Sequence, residues 1–117
     1  MEKIRSVRGF RDISGEEADK FALIERESRA VSQLFGFREV GIPILEKTEL
    51  FKRSIGDTTD IVEKEMFTFT DRSGDSLTLR PEATAGLVRH YLQEGLHAKE
   101  RISRLFTVGP MFRHERP

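Results

Sequence analysis

Hydrophobic residues recur at three- and four-residue intervals between residues 15 and 35, and this spacing predicts an amphipathic helix. The stripe consists of Ala18, Phe21, Ile24, Val31, Leu34 and Phe35. Ser14 and Glu17 have the spacing of a capping box, in which the hydroxyl and the carboxylate each satisfy a backbone N–H group. Gly36 is placed to end the helix in a left-handed conformation.

The pattern becomes extended after Gly36. Its apolar positions are Phe37, Val40, Ile42 and Ile44. Gly41 and Pro43 argue against a central strand, because proline lacks the N–H donor that a sheet needs. An edge or interface strand is therefore predicted here. Thr48 is placed to cap a short helix that continues through Phe51 and Ile55.

Two alternating segments, 66–70 and 76–80, predict a β-hairpin. The five polar residues between them, Asp71 to Asp75, form its turn, and Pro81 ends its second strand. Helical spacing then recurs at Leu87, Val88, Tyr91 and Leu92, and Gly95 ends that helix.

The last part of the chain predicts two strands, 102–106 and 111–116, separated by Gly109 and Pro110. Antiparallel strands with helices inserted among them indicate an α+β fold, in which an antiparallel sheet has flanking helices, and not repeated βαβ units.

The composition of the chain excludes several kinds of site. The 20 basic and 20 acidic side chains cancel, so no basic field covers the whole domain. The chain has no cysteine, which excludes disulfides and thiolate metal sites. No signal peptide and no run long enough to span a membrane is present, and we expect a cytoplasmic protein without a membrane partner.

The segment from Leu79 to Thr84 is the first candidate for chemistry. Glu82 and Thr84 would lie at a helix N-terminus, where the ordinary explanation is a cap. A carboxylate at a strand end is also well placed to bind an ammonium group, and Arg113 would take the matching carboxylate or phosphate. Together Glu82 and Arg113 would hold a zwitterionic amino acid.

The second candidate is the terminal segment 112–117. In a strand, Arg113 and Glu115 share one face, so a guanidinium available for a phosphate lies beside a carboxylate available for an amino group. The ordinary explanation is a solvated row of ion pairs, each worth about 0–1 kcal/mol. The third candidate is the segment 41–46, which is either a plain apolar edge strand or a contact with a second subunit.

The order of these motifs resembles that of the class II aminoacyl-tRNA synthetases, in the form typical of histidyl-tRNA synthetases. The segment 41–46 resembles their motif 1, and Phe-Arg-His-Glu-Arg-Pro at 112–117 resembles the start of motif 2. Three further segments are similar to histidyl-tRNA synthetases: 7–12, 56–66 and 79–84. The resemblance covers essentially the whole chain.

The resemblance implies an enzyme that activates histidine with ATP and transfers it to tRNA(His). Glu82, Ala83 and Thr84 would contact histidine. Arg113 would be the catalytic residue that bridges the histidine carboxylate and the α-phosphate of ATP, and Glu115 would lie near the adenine. Mg²⁺ would be held mainly by the ATP phosphates, with no metal site in the protein. A homodimer would form through Ile42, Pro43 and Ile44.

The resemblance also implies that residues 1–117 are the N-terminal part of a catalytic domain, a partial class II core. The rest of that domain and the anticodon-binding domain are absent, so we expect this fragment of a histidine–tRNA ligase to be inactive or severely impaired alone. Two alternatives remain: a paralogue that serves as the regulatory subunit of ATP phosphoribosyltransferase, and a non-catalytic dimerisation module. Ala83 replaces a glycine common in relatives, which would add strain if the backbone there had a positive φ.

Overall fold

The computed structural model describes residues 1–55 and 65–114, and the chain divides into two compact units, Met1–Phe35 and Gly36–Pro117. The first unit is built on helix α1 (Gly15–Leu34), which confirms the helix predicted there. Gly36 has φ +80°, which confirms the left-handed residue after the helix. The apolar side chains of α1 are at least partly exposed, since the helix contains no buried residue.

The capping box predicted for α1 was wrong. Ser14 has an extended backbone and its side chain makes no capping hydrogen bond. The Glu17 carboxylate instead accepts hydrogen bonds from the Arg11 guanidinium, with Nη1 at 2.8 Å, and this bond lowers the pKa of Glu17. A bidentate guanidinium is a stronger partner for a carboxylate than a single backbone N–H group.

A three-stranded antiparallel sheet forms the centre of the second unit. Its strands are β2 (Leu45–Lys47), β3 (Thr68–Thr70) and β4 (Ser76–Leu79), in the order β2-β4-β3, and this confirms the predicted hairpin. The Asp71 carboxylate accepts hydrogen bonds from the backbone N–H groups of Ser73 and Asp75, which closes the turn. The Ser73 hydroxyl and these N–H groups lower the pKa of Asp71.

Helices lie beside this sheet, as the α+β prediction requires: one packs on β2 and β4, the next packs on that helix, and the last packs on the second. They are α2 (Thr48–Ile55), α3 (Thr84–Gln93) and the single turn α4 (Leu96–Lys99), and Gly95 ends the second of them at φ +65°. Phe51, Thr78 and Pro81 are fully buried. The Thr48 hydroxyl lies 2.8 Å from that of Thr78, so α2 is joined to β4 by a buried hydrogen bond as well as by packing.

A second, parallel pair of strands was not predicted. Strand β1 (Arg38–Glu39) pairs with β5 (Leu105–Phe106), with Arg38 opposite Leu105. The strand expected over 102–106 therefore forms only at its end. Two strands separated by more than 60 residues pair through tertiary contacts, for which a local pattern carries no signal.

The strand predicted over 111–116 does not form as a regular strand in its described part, 111–114. The Phe112 N–H group donates to the Arg80 carbonyl at 2.9 Å, as in a sheet. The Arg80 N–H group, however, donates to the Ile44 carbonyl, so the reciprocal bond of an antiparallel pair is missing. Among the helices of the described residues, none is long and apolar enough to span a membrane.

Candidate functional site

The loop that joins β4 to α3 contains the predicted Glu82 and Ala83, and the predicted Thr84 begins the helix. Pro81 ends the strand because it cannot donate to the sheet, and α3 begins three residues later. Both oxygens of the half-buried Glu82 carboxylate lie 3.2 Å from the backbone nitrogen of Ala85, so Glu82 caps the helix. Glu82 therefore acts as a helix cap, which was the ordinary explanation for a carboxylate at this position.

Arg113 reaches the same loop from the terminal segment. Its Nε donates a hydrogen bond to the carbonyl of Pro81 at 3.0 Å, and Pro81 directly precedes Glu82. The residue itself is exposed. The structure thus brings the predicted cation and the predicted anion to one end of α3, although they are 31 positions apart in the sequence.

Ala83 adopts an ordinary backbone conformation, with φ −105° and ψ −18°. The strain that alanine would add at a positive φ is therefore absent. Thr84 is the first residue of α3 and is exposed, which leaves its hydroxyl accessible.

His114 contacts the residues that directly precede β3. The centroid of its ring is 5.6 Å from that of the Phe67 ring, and its backbone N–H group donates to the Glu65 carbonyl at 2.7 Å. Glu115 lies outside the described residues, as do 116–117 and positions 56–64 of the motif before the hairpin.

Motif 1 is divided between the interior and the surface. Ile42 is buried, and it packs so closely on α3 that a Cβ atom added to Gly86 would lie 2.7 Å from its Cδ1. Pro43 and Ile44 are exposed, Ile44 by 42%. Of the three residues predicted at a subunit contact, two are therefore accessible on the surface of this chain.

Two contacts near the site were missed by sequence reasoning. The buried Glu46 carboxylate accepts a hydrogen bond from Nε of Arg89 on α3 at 2.6 Å. Arg80 is also buried, and its guanidinium donates to two backbone carbonyls. The one available signal for Arg80 was a charged residue that directly follows the apolar strand residue Leu79 and precedes a proline.

The geometry offers a carboxylate that caps α3 and a guanidinium bonded to the proline carbonyl that precedes it. This arrangement suits a ligand with an ammonium group at one position and a carboxylate or phosphate at another. Within residues 1–55 and 65–114, no group of three or more His, Asp or Glu side chains is placed to hold a metal ion.

Comparison with known proteins places these residues in context. Residues 9–117 match a family model described as histidyl-tRNA synthetase. A histidine–tRNA ligase from Oleidesulfovibrio alaskensis is 52% identical over 117 residues, which are 100% of this chain and 28% of the relative. A second, from Desulforapulum autotrophicum, is 54% identical over 114 residues, 97% of this chain and 27% of the relative.

The fold is also shared with a solved structure. The apo histidyl-tRNA synthetase of S. aureus superposes with a TM-score of 0.81 at 34% sequence identity, covering 96% of this chain and 26% of that protein. The chain thus spans little more than a quarter of the length of the relatives that it matches.

Proposed function

This chain belongs to the histidyl-tRNA synthetase family, and from that premise we propose that it is the N-terminal part of a synthetase catalytic domain. The parent protein would activate histidine with ATP and transfer it to tRNA(His), as a cytoplasmic homodimer. One observation carries the proposal: Arg113 donates to the Pro81 carbonyl at 3.0 Å, which ties its guanidinium to the residue directly before Glu82.

Adenylation gives these two residues different roles. An oxygen of the histidine carboxylate attacks the α-phosphorus of ATP, a bond forms between them, and the bond to the β-phosphate oxygen breaks as pyrophosphate leaves. Attack brings two anions together, so a positioned guanidinium at Arg113 offsets the repulsion as charge develops on the phosphate. Mg²⁺ enters as part of the ATP substrate and is held mainly by its phosphates.

Glu82 would bind the histidine ammonium. A carboxylate has about four lone-pair sites, so Glu82 can keep its hydrogen bond to the Ala85 N–H group and still accept from a substrate. Thr84 and the backbone of Ala83 would complete this side of the histidine pocket. Glu115, two residues beyond Arg113, would lie near the adenine.

A dimer through motif 1 belongs to the same proposal. Its support is the exposed apolar pair Pro43 and Ile44, beside a strand whose outer edge has no partner among the described strands. Ile42 would contribute indirectly, because its side chain packs on Gly86 inside the chain.

An ATP–pyrophosphate exchange assay on the parent protein, with each of the twenty amino acids in turn, tests this function. We expect exchange with histidine alone. The 117-residue chain should be slower by about 100-fold or more, since loss of even one preorganised donor costs 10²–10³ in rate. A parent without exchange would contradict the proposal and favour the regulatory or dimerisation alternatives, and near-parental exchange by the chain would show that it already contains the essential groups.

A further inference from the structure

Arg80 is a buried cation that has no carboxylate partner among residues 1–55 and 65–114. Arg80 as a whole is only 3% exposed. Nε donates to the Pro110 carbonyl at 3.0 Å, and Nη1 donates to the Ile42 carbonyl at 3.3 Å. A buried charge is unfavourable unless it is well compensated, and here the compensation comes from two backbone segments that are far apart in the sequence.

The backbone of Arg80 joins the same two segments. Its N–H group donates to the Ile44 carbonyl at 2.9 Å, and its carbonyl accepts from the Phe112 N–H group at 2.9 Å. One residue therefore makes four hydrogen bonds, two to motif 1 and two to the segment that leads into motif 2. The hydrogen bonds of the Arg80 guanidinium are to these two backbone segments. The site residue Arg113 directly follows Phe112 in the second segment, and Glu82 follows Arg80 itself by two residues.

Gly109 shows how closely this guanidinium is enclosed. A Cβ atom added at Gly109 would lie 2.3 Å from Nη2 and 3.5 Å from Cζ of Arg80. Any other side chain at position 109 would have to displace either the guanidinium or the segment that contains Pro110.

We propose that Arg80 is a positioning residue for adenylation, which holds the segment 109–112 against motif 1 and so places Arg113 beside Glu82. The inference rests on the proposed function. Arg113 follows Pro110 by three residues, so a shift of the Pro110 carbonyl moves the guanidinium that must meet the α-phosphate. A misplacement of about 1 Å in such a group can lower a rate about 100-fold.

The test uses Arg80→Lys in the full-length parent. Lysine keeps the charge but lacks the planar fork that reaches two carbonyls on different segments. We expect the adenylation rate constant, measured in single turnover, to fall about 10- to 100-fold. The dissociation constant of histidine should change only a few-fold, because Glu82 and its loop keep their own contacts.

Arg89→Lys is the matched control. It weakens another partly buried arginine contact of motif 1, that with Glu46, but the hydrogen bonds of Arg89 are to Glu46 and Gln93 and none is to segment 109–113. We expect its adenylation rate constant to stay near the parental value even where its loss of thermal stability equals that of Arg80→Lys. Equal rate defects in the two variants would reduce Arg80 to a structural residue and overturn the inference.

Two further variants distinguish a positioning role of Arg80 from a loss of activity that comes only from destabilisation. In an Arg113→Ala background, Arg80→Lys should lower the rate constant no further, since the residue through which it acts is gone. Gly109→Ala should reproduce the rate defect of Arg80→Lys. The variant that combines Gly109→Ala with Arg80→Lys should be no slower than the slower of these two single variants. Gly109→Ala also provides the test if Arg80→Lys does not fold.

If Arg80→Lys lowers the adenylation rate constant as much in the Arg113→Ala background as it does in the parent, the inference is overturned. It is also overturned if Arg80→Lys and Gly109→Ala both keep the parental rate constant. In both cases histidine-dependent exchange by the unmodified parent shows that the proposed function stands. Absence of that exchange overturns the proposed function and the inference together.

Discussion

At the scale of single residues, Gly86 shows how one missing side chain sets the distance between motif 1 and α3. A Cβ atom there would lie 2.7 Å from Cδ1 of Ile42, whereas Cγ1 would be at an ordinary 3.8 Å. Alanine would otherwise be preferred inside a helix by about 1 kcal/mol. The absence of a side chain at position 86 is therefore explained by packing and not by helix propensity.

We predict that Gly86→Ala and Ile42→Val are coupled. Overpacking against Ile42 should cancel or exceed the helix-propensity gain, since it typically costs about 1–3 kcal/mol. In the Ile42→Val background Cδ1 is gone, and Gly86→Ala should then stabilise the parent by about 1 kcal/mol. Thermal unfolding of the four proteins measures the coupling.

Gly41→Ala is the control for this cycle, because its Cβ would meet no atom within 4 Å outside its two chain neighbours. Its effect should not depend on whether residue 42 is isoleucine or valine. Additive effects of Gly86→Ala and Ile42→Val would show that the two positions are not in close contact.

At the scale of elements, the sequence predicted what depends on local periodicity and turn chemistry. Helix α1 and the hairpin of β3 and β4 follow from such patterns, and both were found. The parallel pairing of β1 with β5 and the missing regular strand at 111–114 depend on which distant segment takes each N–H group. A local pattern does not contain that information.

The candidate site, too, could be predicted from the sequence only in part. Glu82 and Arg113 were found from charged residues at strand ends and from the family's motifs, and their proximity through Pro81 required the fold. Arg80 lies within the segment 79–84 that resembles the family, but its role depends on the carbonyls of residues 42 and 110. Backbone carbonyls have no sequence signature, so this role was not predictable.

The ion pair between β2 and α3 gives a prediction at this scale. The Glu46 side chain is 6% exposed, and Arg89 is its hydrogen-bonded partner. Glu46→Gln should destabilise the parent by about 1.5–3 kcal/mol, the usual value of a hydrogen bond to a charged group. Thermal unfolding provides the measurement.

Glu49→Gln is the matched control, since Glu49 pairs with Arg53 on α2 where both side chains are more than half exposed. Such a surface pair contributes about 0.3–0.5 kcal/mol. Equal destabilisation by the two substitutions would contradict the importance given to the buried pair.

At the scale of the whole molecule, the proposed dimer predicts a change in assembly. Ile44→Lys places a charge on the exposed apolar part of motif 1 without entering the core, unlike a substitution at the buried Ile42. If Ile44 is central to the interface, the loss is about 2 kcal/mol or more, and the dimer becomes roughly 30-fold weaker. Sedimentation of the parent over a range of concentrations measures this.

Leu92→Lys is the control for charge on an exposed apolar position, because Leu92 on α3 is 58% exposed and lies outside motif 1. It should leave the dimer unchanged. A parent that is monomeric, or a dimer that Ile44→Lys does not weaken, would show that this part of motif 1 is an ordinary surface.

The most direct test of the account compares Arg113→Ala with Glu82→Gln in the parent protein, by single-turnover adenylation and histidine binding. Arg113→Ala should lower the adenylation rate constant about 10²–10³-fold, a larger effect than the one on histidine affinity, because its contact strengthens in the transition state. Glu82→Gln keeps an acceptor for the Ala85 N–H group but loses the charge. It should therefore weaken histidine binding by about 1.5–3 kcal/mol and affect the rate constant less. Parental kinetics in both variants would contradict the account and leave Glu82 as a helix cap and Arg113 as a brace on the Pro81 loop.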